Sequence, residues 1–359
     1  MTPAALLERL VATPSLSGEE GAIADLLQDL LASKGAAVHR QGHNLWFEVG
    51  AGQGSPQGGP RLLLNTHLDT VPPAAGWTTD PFRPEWRGGR LHGLGANDAK
   101  GCLAAMALTA ISLLEAPPAA GTAVFAFTAE EETGGAGVAT ILDQLGPLDG
   151  AVVGEPTGLQ VCAAQRGLLM LRCTAKGEAA HTAHAHALGA VNAVHRAARD
   201  ILKLEALRFE PHPLLGETRA QATVIQGGRA RNQVPDACEF FVDLRTTPNL
   251  DHDALAASLA EVLESEIAIH STRYRPKATD PAHPLVQAAL AAAVRKAPVG
   301  SATASDWAFL GDLPAVKVGP GDTHRSHRAD EYLTLAELEA GLAFYRALVP
   351  AFLKEAVHA

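Results

Sequence analysis

Side chains able to bind metal ions or move protons recur at five points of the chain. His67 and Asp69 stand in NTHLDTVP, Asp98 in GLGANDAKG, Glu130, Glu131 and Glu132 in TAEEETGGAG, Glu155 in VVGEPT, and His324 and His327 in GPGDTHRSHRADEY. Carboxylates with imidazoles and no thiolate form a hard-to-borderline ligand set, suited to zinc, manganese or cobalt. Taken singly, each has a plainer reading. A His-x-Asp pair is commonly a local hydrogen bond. A run of glutamates fits a solvated face or the negative first turn of a helix. Asp98 among glycines fits a turn, and the histidines fit exposed loops. What joins the five is position at the ends of apolar runs.

Those runs define the elements that must carry them. RLLLNT leads into His67, TAVFAFT into the glutamates, AVVG into Glu155 and AVKVGPG into the histidine-rich loop. Helical patterns alternate with them: the amphipathic N-terminus, then SGEEGAIADLLQDLLASKGA with Ser17 and Glu20 as a capping box and Gly35 as its stop, GCLAAMALTAISLLEA, and the closing TLAELEAGLAFYRALVPAFL. Short, continuously apolar strands alternating with helices predict an α/β fold whose mostly parallel sheet is sandwiched by helices. Ligands of such sheets bind beyond the carboxyl ends of the strands, so residues far apart in sequence can converge there. Between 168 and 278 the order becomes strand, helix, two strands, helix, strand, the pattern of a small inserted α+β ferredoxin-like sandwich. The expected domains are therefore 1–167 with 279–359, and 168–278. AGQGSPQGGP (51–60) reads as a loop tip.

The bulk properties narrow the function. A net charge of −10 argues against a nucleic-acid or anionic-membrane surface, and no run of 18 apolar residues is present. The first residues read as a helix of the mature protein and not as a signal peptide. Cys102, Cys162, Cys173 and Cys238 form no CxxC pair, which fits small buried residues in a reduced, cytoplasmic protein.

The motifs NTHLDTVP, GLGANDAKG, TAEEETGGAG, VVGEPTG, KGEAAHTA, GGRARNQVPDACEFFVDLRT and GPGDTHRSHRADEYL occur in the order found in the dinuclear zinc amidohydrolases. That family includes acetylornithine deacetylase, succinyl-diaminopimelate desuccinylase, aminoacylase and glutamate carboxypeptidase. The resemblance spans essentially the whole chain and leans toward the acetylornithine deacetylase branch. It implies two divalent ions, zinc first, with cobalt or manganese as alternatives. His67, Asp98 and Glu155 would hold one, and Asp98, Glu132 and His327 the other, with Asp98 bridging and a cis peptide after it. It further implies Glu131 as general base, Asp69 orienting His67, and His181 donating to the substrate carbonyl from a partner subunit. Asn232, Arg245 and Gly321 would bind substrate. The implied protein is a homodimer, joined through the inserted domain, that removes the Nα-acyl group of a small amino acid. N-acetylornithine is the leading substrate, which would place the enzyme in arginine biosynthesis. N-succinylornithine, N-acyl-lysine or N-acyl-citrulline, succinyl-diaminopimelate and a dipeptide are alternatives, and a non-catalytic amino-acid-binding protein is the reading from another class. Asp306 or Asp322 could meet an ornithine ammonium. Arg166, Arg229, Arg231 or Arg325 could meet a succinyl carboxylate.

Overall fold

In a computed structural model, which describes residues 1–50 and 59–355, RLLLNTH forms the strand Arg61–His67, buried almost along its whole length. Thr122–Thr128 and Gly150–Val153 flank it in parallel, and Ala315–Lys317 adds in parallel beyond the latter. A strand buried on both faces has no polar side to show, so its apolar residues run without alternation. Antiparallel Asn44–Gly50 and His39–Gln41 complete one edge. Six strands of the nine-stranded main sheet thus lie in the order His39–Gln41, Asn44–Gly50, Thr122–Thr128, Arg61–His67, Gly150–Val153, Ala315–Lys317. The four parallel strands end on the same side.

Helix Lys100–Glu115 is buried on every face from Lys100 to Ile111, which explains its lack of an amphipathic stripe. It packs against Pro3–Val11 and the closing helix Leu335–Glu355, with Pro350 inside the latter. Trp46, Leu63, Val124, Val153, Ile141 and Trp307 belong to one cluster of this core.

The chain divides into two units. The one just described comprises Met1–Ala163, Ala278–Val299 and Ser305–Ala359, and the second Ala164–Lys277 with Gly300–Ala304. In the second, an antiparallel sheet runs Ala220–Gly227, Ala237–Thr246, Gly167–Lys176, Glu266–Tyr274. Alternate residues (Leu169, Leu171, Cys173; Phe240, Val242, Leu244) face a core shared with helices Ala193–Ala206 and His252–Val262. Those helices start on Asn192 and Asp251, whose side chains accept the first free N–H groups.

The mixed α/β fold is the one the strand pattern indicates. Two local expectations need comment. Residues 51–58 of the loop tip lie outside the described residues. The capping box does not form. The second helix is Gly21–Ala32, with no side chain capping its start. The Ser17 hydroxyl instead donates to Asp69 Oδ2 (2.7 Å), and Glu20 Oε1 accepts from the Gly18 and Glu130 N–H groups (2.9 and 3.0 Å). A buried acceptor facing unpaired backbone donors elsewhere outcompetes a local cap that water could replace.

Candidate metal centre

Three candidate ligands sit at or just beyond the ends of the parallel strands. His67 closes Arg61–His67, Glu132 follows Thr122–Thr128, and Glu155 follows Gly150–Val153. Asp98 comes from the turn before helix Lys100–Glu115, and His327 follows the short helical turn Thr323–Arg325 in a left-handed conformation (φ 60°). The structure brings ligand atoms of His67, Asp98 and Glu155 within 4.8 Å of one another, and those of Asp98, Glu132 and His327 likewise. Ligands of one zinc, each ~2.0–2.2 Å from it, can be at most ~4.4 Å apart. Small side-chain adjustments would therefore close both groups, with Asp98 shared. A third group of the same size, His67, Glu131 and Glu132, adds Glu131 to the rim.

The electrostatics of this cluster call for cations. Burial pushes the Glu131 carboxyl well above the usual carboxylate range, and Glu155, Asp306 and Glu132 nearby push it further. Burial raises Glu132 too, and lifts Glu155 to about 7. Burial opposes ionisation of Asp98, but the hydrogen bond and charge of the His67 ring, the Ser326 hydroxyl and the His327 charge together hold Asp98 low. Likewise burial works to lower His67, while hydrogen bonds to Asp69 and Asp98 carry it well above its ordinary value. The Glu132 carboxylate, 2.9 Å from Nε2, raises His327 to about 9. Protons here stand in for missing positive charge, and the donor set fits two divalent ions.

Backbone donors hold the carboxylates. Asp69 Oδ1 accepts from Glu131 N–H and Oδ2 from Glu132 N–H, both at 3.1 Å. The His67 Nδ1 partner is therefore the Asp69 backbone carbonyl at 2.9 Å, with the nearest carboxylate oxygen at 3.4 Å. That still fixes the tautomer and leaves Nε2 facing Asp98 and Glu155. Glu130 is exposed and left-handed (φ 58°), so the triplet turns at its first member. Gly135, at φ 60°, completes that turn where a Cβ would sit 1.9 Å from Phe309.

Sequence reasoning missed the residues behind the ligands. The buried Glu331 carboxylate accepts from the Gly95, Asn97 and Asp98 N–H groups (3.1, 2.8 and 2.8 Å) and so pins the turn that presents Asp98. Burial lifts it to about 8, and burial lowers the neighbouring Lys100 to about 7. The Asp98–Ala99 peptide is cis. Gly321 (φ 95°) passes so close to Asn97 that a Cβ would meet its Oδ1 at 2.4 Å, so its demonstrable partner is Asn97.

Several other candidates fall elsewhere. His324 is exposed and bound to Asp322, away from the cluster. Asp306 is 1% exposed beneath the Thr128 hydroxyl, closed to a substrate ammonium. Arg325 is committed to Glu337 and stacked on Tyr332, and Arg166 donates to the carbonyls of Arg245, Leu215 and Glu217. On the second unit, Ala180–His181 pairs with Gln233–Val234, and Thr182 N–H donates to Asn232 O, so His181 and Asn232 are neighbours. His181 Nδ1 accepts from Ala183 N–H, leaving Nε2 as the donor. Arg245 forks onto Asp243, two residues before it on the same strand face.

The model of peptidase family M20/M25/M40 matches residues 63–351. The chain belongs to that family. This M20 chain is 31% identical to a succinyl-diaminopimelate desuccinylase of Xanthomonas euvesicatoria, covering 98% of this chain and 97% of that one. Its structure is similar to that of aminopeptidase PepT from Bacillus cereus (TM-score 0.81, 22% identity, 98% of both chains). It is also similar to a Bacillus subtilis protein described as a dinuclear metal binding peptidase of the M20 family (TM-score 0.73, 17% identity, 98% and 96% covered). The desuccinylase relatives do not support a preference for the acetylornithine branch. Among the described residues no helix is long and apolar enough to cross a membrane.

With Glu155 at about 7 and His327 at about 9, above ordinary values of 4.5 and 6.5, both bind protons more tightly folded than unfolded. The stability they give the metal-free protein is complete below the ordinary values and is lost as pH rises through about 7 and about 9. A divalent ion held by these two candidate ligands would replace those protons. The Tm of the metal-free protein should fall across this window, and the rise in Tm on adding zinc should grow across it. A zinc effect that is flat or shrinks with pH would remove the two residues from the ligand set.

Proposed function

We propose that this M20 amidohydrolase removes the N-acyl group of a small diamino acid. The observation that carries the reading is Asp98, shared between two ligand groups with Glu131 on their rim. His67, Asp98 and Glu155 would hold one divalent ion and Asp98, Glu132 and His327 the other, zinc first, with cobalt or manganese as alternatives. Such a pair, when bound, polarises the scissile carbonyl and acidifies the attacking water.

The remaining work falls to side chains. Glu131 accepts the proton of the attacking water and passes it to the leaving amine. Its place on the rim shared by the two ligand groups would put it beside both the attacking water and the scissile bond. His181, with Nε2 as donor, stabilises charge on the substrate oxygen, acting from the second subunit of a dimer. Asn232 and Arg245 hold the amide and the α-carboxylate, Asp243 keeps the guanidinium fork oriented in the meantime, and Gly321 lines the approach. The dimer reading is supported by Ala220–Gly227, an edge strand whose Val224 and Ile225 are 46% and 52% exposed. Free, buried cysteines support a cytoplasmic location.

Two substrates lead. The desuccinylase relatives favour N-succinyl-diaminopimelate, and the motif resemblance favours N-acetylornithine. With Arg166 and Arg325 committed, the exposed Arg229 and Arg231 next to Asn232 are the cations left for a succinyl carboxylate.

Glu131→Gln should retain two zinc ions by elemental analysis yet lose at least ~100-fold in kcat, whereas Glu132→Gln should lose an ion. Metal loss from the first variant would exchange the two roles. A screen of N-acetyl and N-succinyl forms of ornithine, lysine, citrulline and diaminopimelate decides the acyl group. Release of amine from none of them, with zinc or cobalt present, would favour a binding protein. Arg245→Ala should lower kcat/KM by ~10–100-fold on the substrate found, about the worth of a charge-assisted bidentate contact. An unchanged value removes Arg245 from the carboxylate.

A further inference from the structure

The three glutamates of the triplet present consecutive N–H groups, and each finds a carboxylate. Glu130 N–H donates to Glu20 Oε1, Glu131 N–H to Asp69 Oδ1, and Glu132 N–H to Asp69 Oδ2. Both acceptors are 0% exposed. They are tied to one loop. Residues 15–17 run alongside Leu68–Thr70, with Ser15 Oγ donating to Leu68 O, Thr70 N–H to Ser15 O, and Ser17 N–H to Thr70 O. Ser17 Oγ then donates to Asp69 Oδ2, and Gly18 N–H donates to Glu20 Oε1. The left-handed Gly18 (φ 86°) makes the turn that aims its N–H back at Glu20. Glu20 Oε2 is buried with no partner among the described residues. A buried carboxylate half-satisfied in this way is costly, and among its contacts the one reaching furthest in sequence is the triplet.

We propose that Ser17 and Glu20 are positioning residues. They clamp the backbone of Glu130–Glu132 so that Glu131 and Glu132 keep separate directions toward the centre. Glu20 fixes the left-handed turn at Glu130, and Ser17 fixes the Asp69 carboxylate that grips the next two N–H groups. Neither touches a ligand atom or substrate. The inference rests on Glu132 being a metal ligand and Glu131 the base, and it adds the element that keeps two adjacent, mutually repelling carboxylates apart.

The test uses the full-length protein loaded with zinc, measuring zinc affinity by competition with a chromogenic chelator, kcat and KM on the substrate the screen identifies, and the visible spectrum of the cobalt-substituted form. Glu20→Ala should weaken the looser zinc by ~10–100-fold and lower kcat by a similar factor, with KM changed by less than about threefold and an altered cobalt spectrum. Only one oxygen of Glu20 is engaged, so Glu20→Gln, which keeps a carbonyl acceptor, should recover most of both. A folded Glu20→Ala protein with zinc affinity and kcat within about twofold of the parent, or a Gln variant no better than Ala, overturns the proposal. Should Glu20→Ala not fold, Ser17→Ala removes a single hydroxyl and should weaken zinc by about threefold to tenfold, and an unchanged affinity overturns it equally. If Glu131→Gln keeps its rate the base assignment falls, while the zinc and cobalt readouts still report on how Glu132 is held.

Discussion

Asp98, Glu131, Glu132 and Glu155 crowd into a space a few ångströms across, and that crowding is the constraint from which the rest of the site follows. Anionic side chains at that distance repel, and burial strengthens the repulsion because little water remains to screen it. The folded chain answers by holding protons more tightly on Glu131, Glu132 and Glu155 and on the His67 and His327 rings, while Asp98 is held low, and divalent ions would answer the same need for positive charge. Metal binding, proton release and stability are thereby linked in one cluster.

Holding that cluster in place falls to the main chain and to acids one layer back. Asp69, Glu20 and Glu331 accept backbone N–H groups from the segments that bear Glu131, Glu132 and Asp98. Backbone donors carry no net charge, so this layer fixes the inner carboxylates without neutralising them. The strands contribute the other half of the rigidity. Parallel strands buried on both faces cannot slide without exposing apolar side chains, so His67 and Glu155 are held by the core itself.

The two units divide the chemistry differently. All of the candidate ligands, His67, Asp98, Glu132, Glu155 and His327, belong to the first unit. The second carries His181 on the two-stranded ribbon Ala180–His181 with Gln233–Val234, Asn232 just before that second strand, and Arg245 on the four-stranded sheet. Arg245 is occupied by Asp243 in this structure.

The four parallel strands, the buried helix and the order of chemistry-bearing residues were readable from the sequence, because hydrophobic periodicity is local and the motifs are contiguous, whereas the edge strand Asn44–Gly50 was not. RLLLNT, TAVFAFT and AVVG predict the parallel sheet, and the family resemblance follows from seven short stretches. Tertiary structure decided what each polar residue does. Ser17 and Glu20 have the spacing of a capping box, yet they turn to Asp69 and Glu130, because a partner brought near from 52 or 110 positions away leaves no periodic signal. Glu331 lies in the same motif as His327, but its grip on the Asp98 turn appears only once the chain has folded over 230 residues of separation. Asp306, Arg166 and Arg325 look available in the sequence and are committed in the structure. A sequence records which groups exist, and long-range packing determines which of them water, a metal or a substrate can still reach.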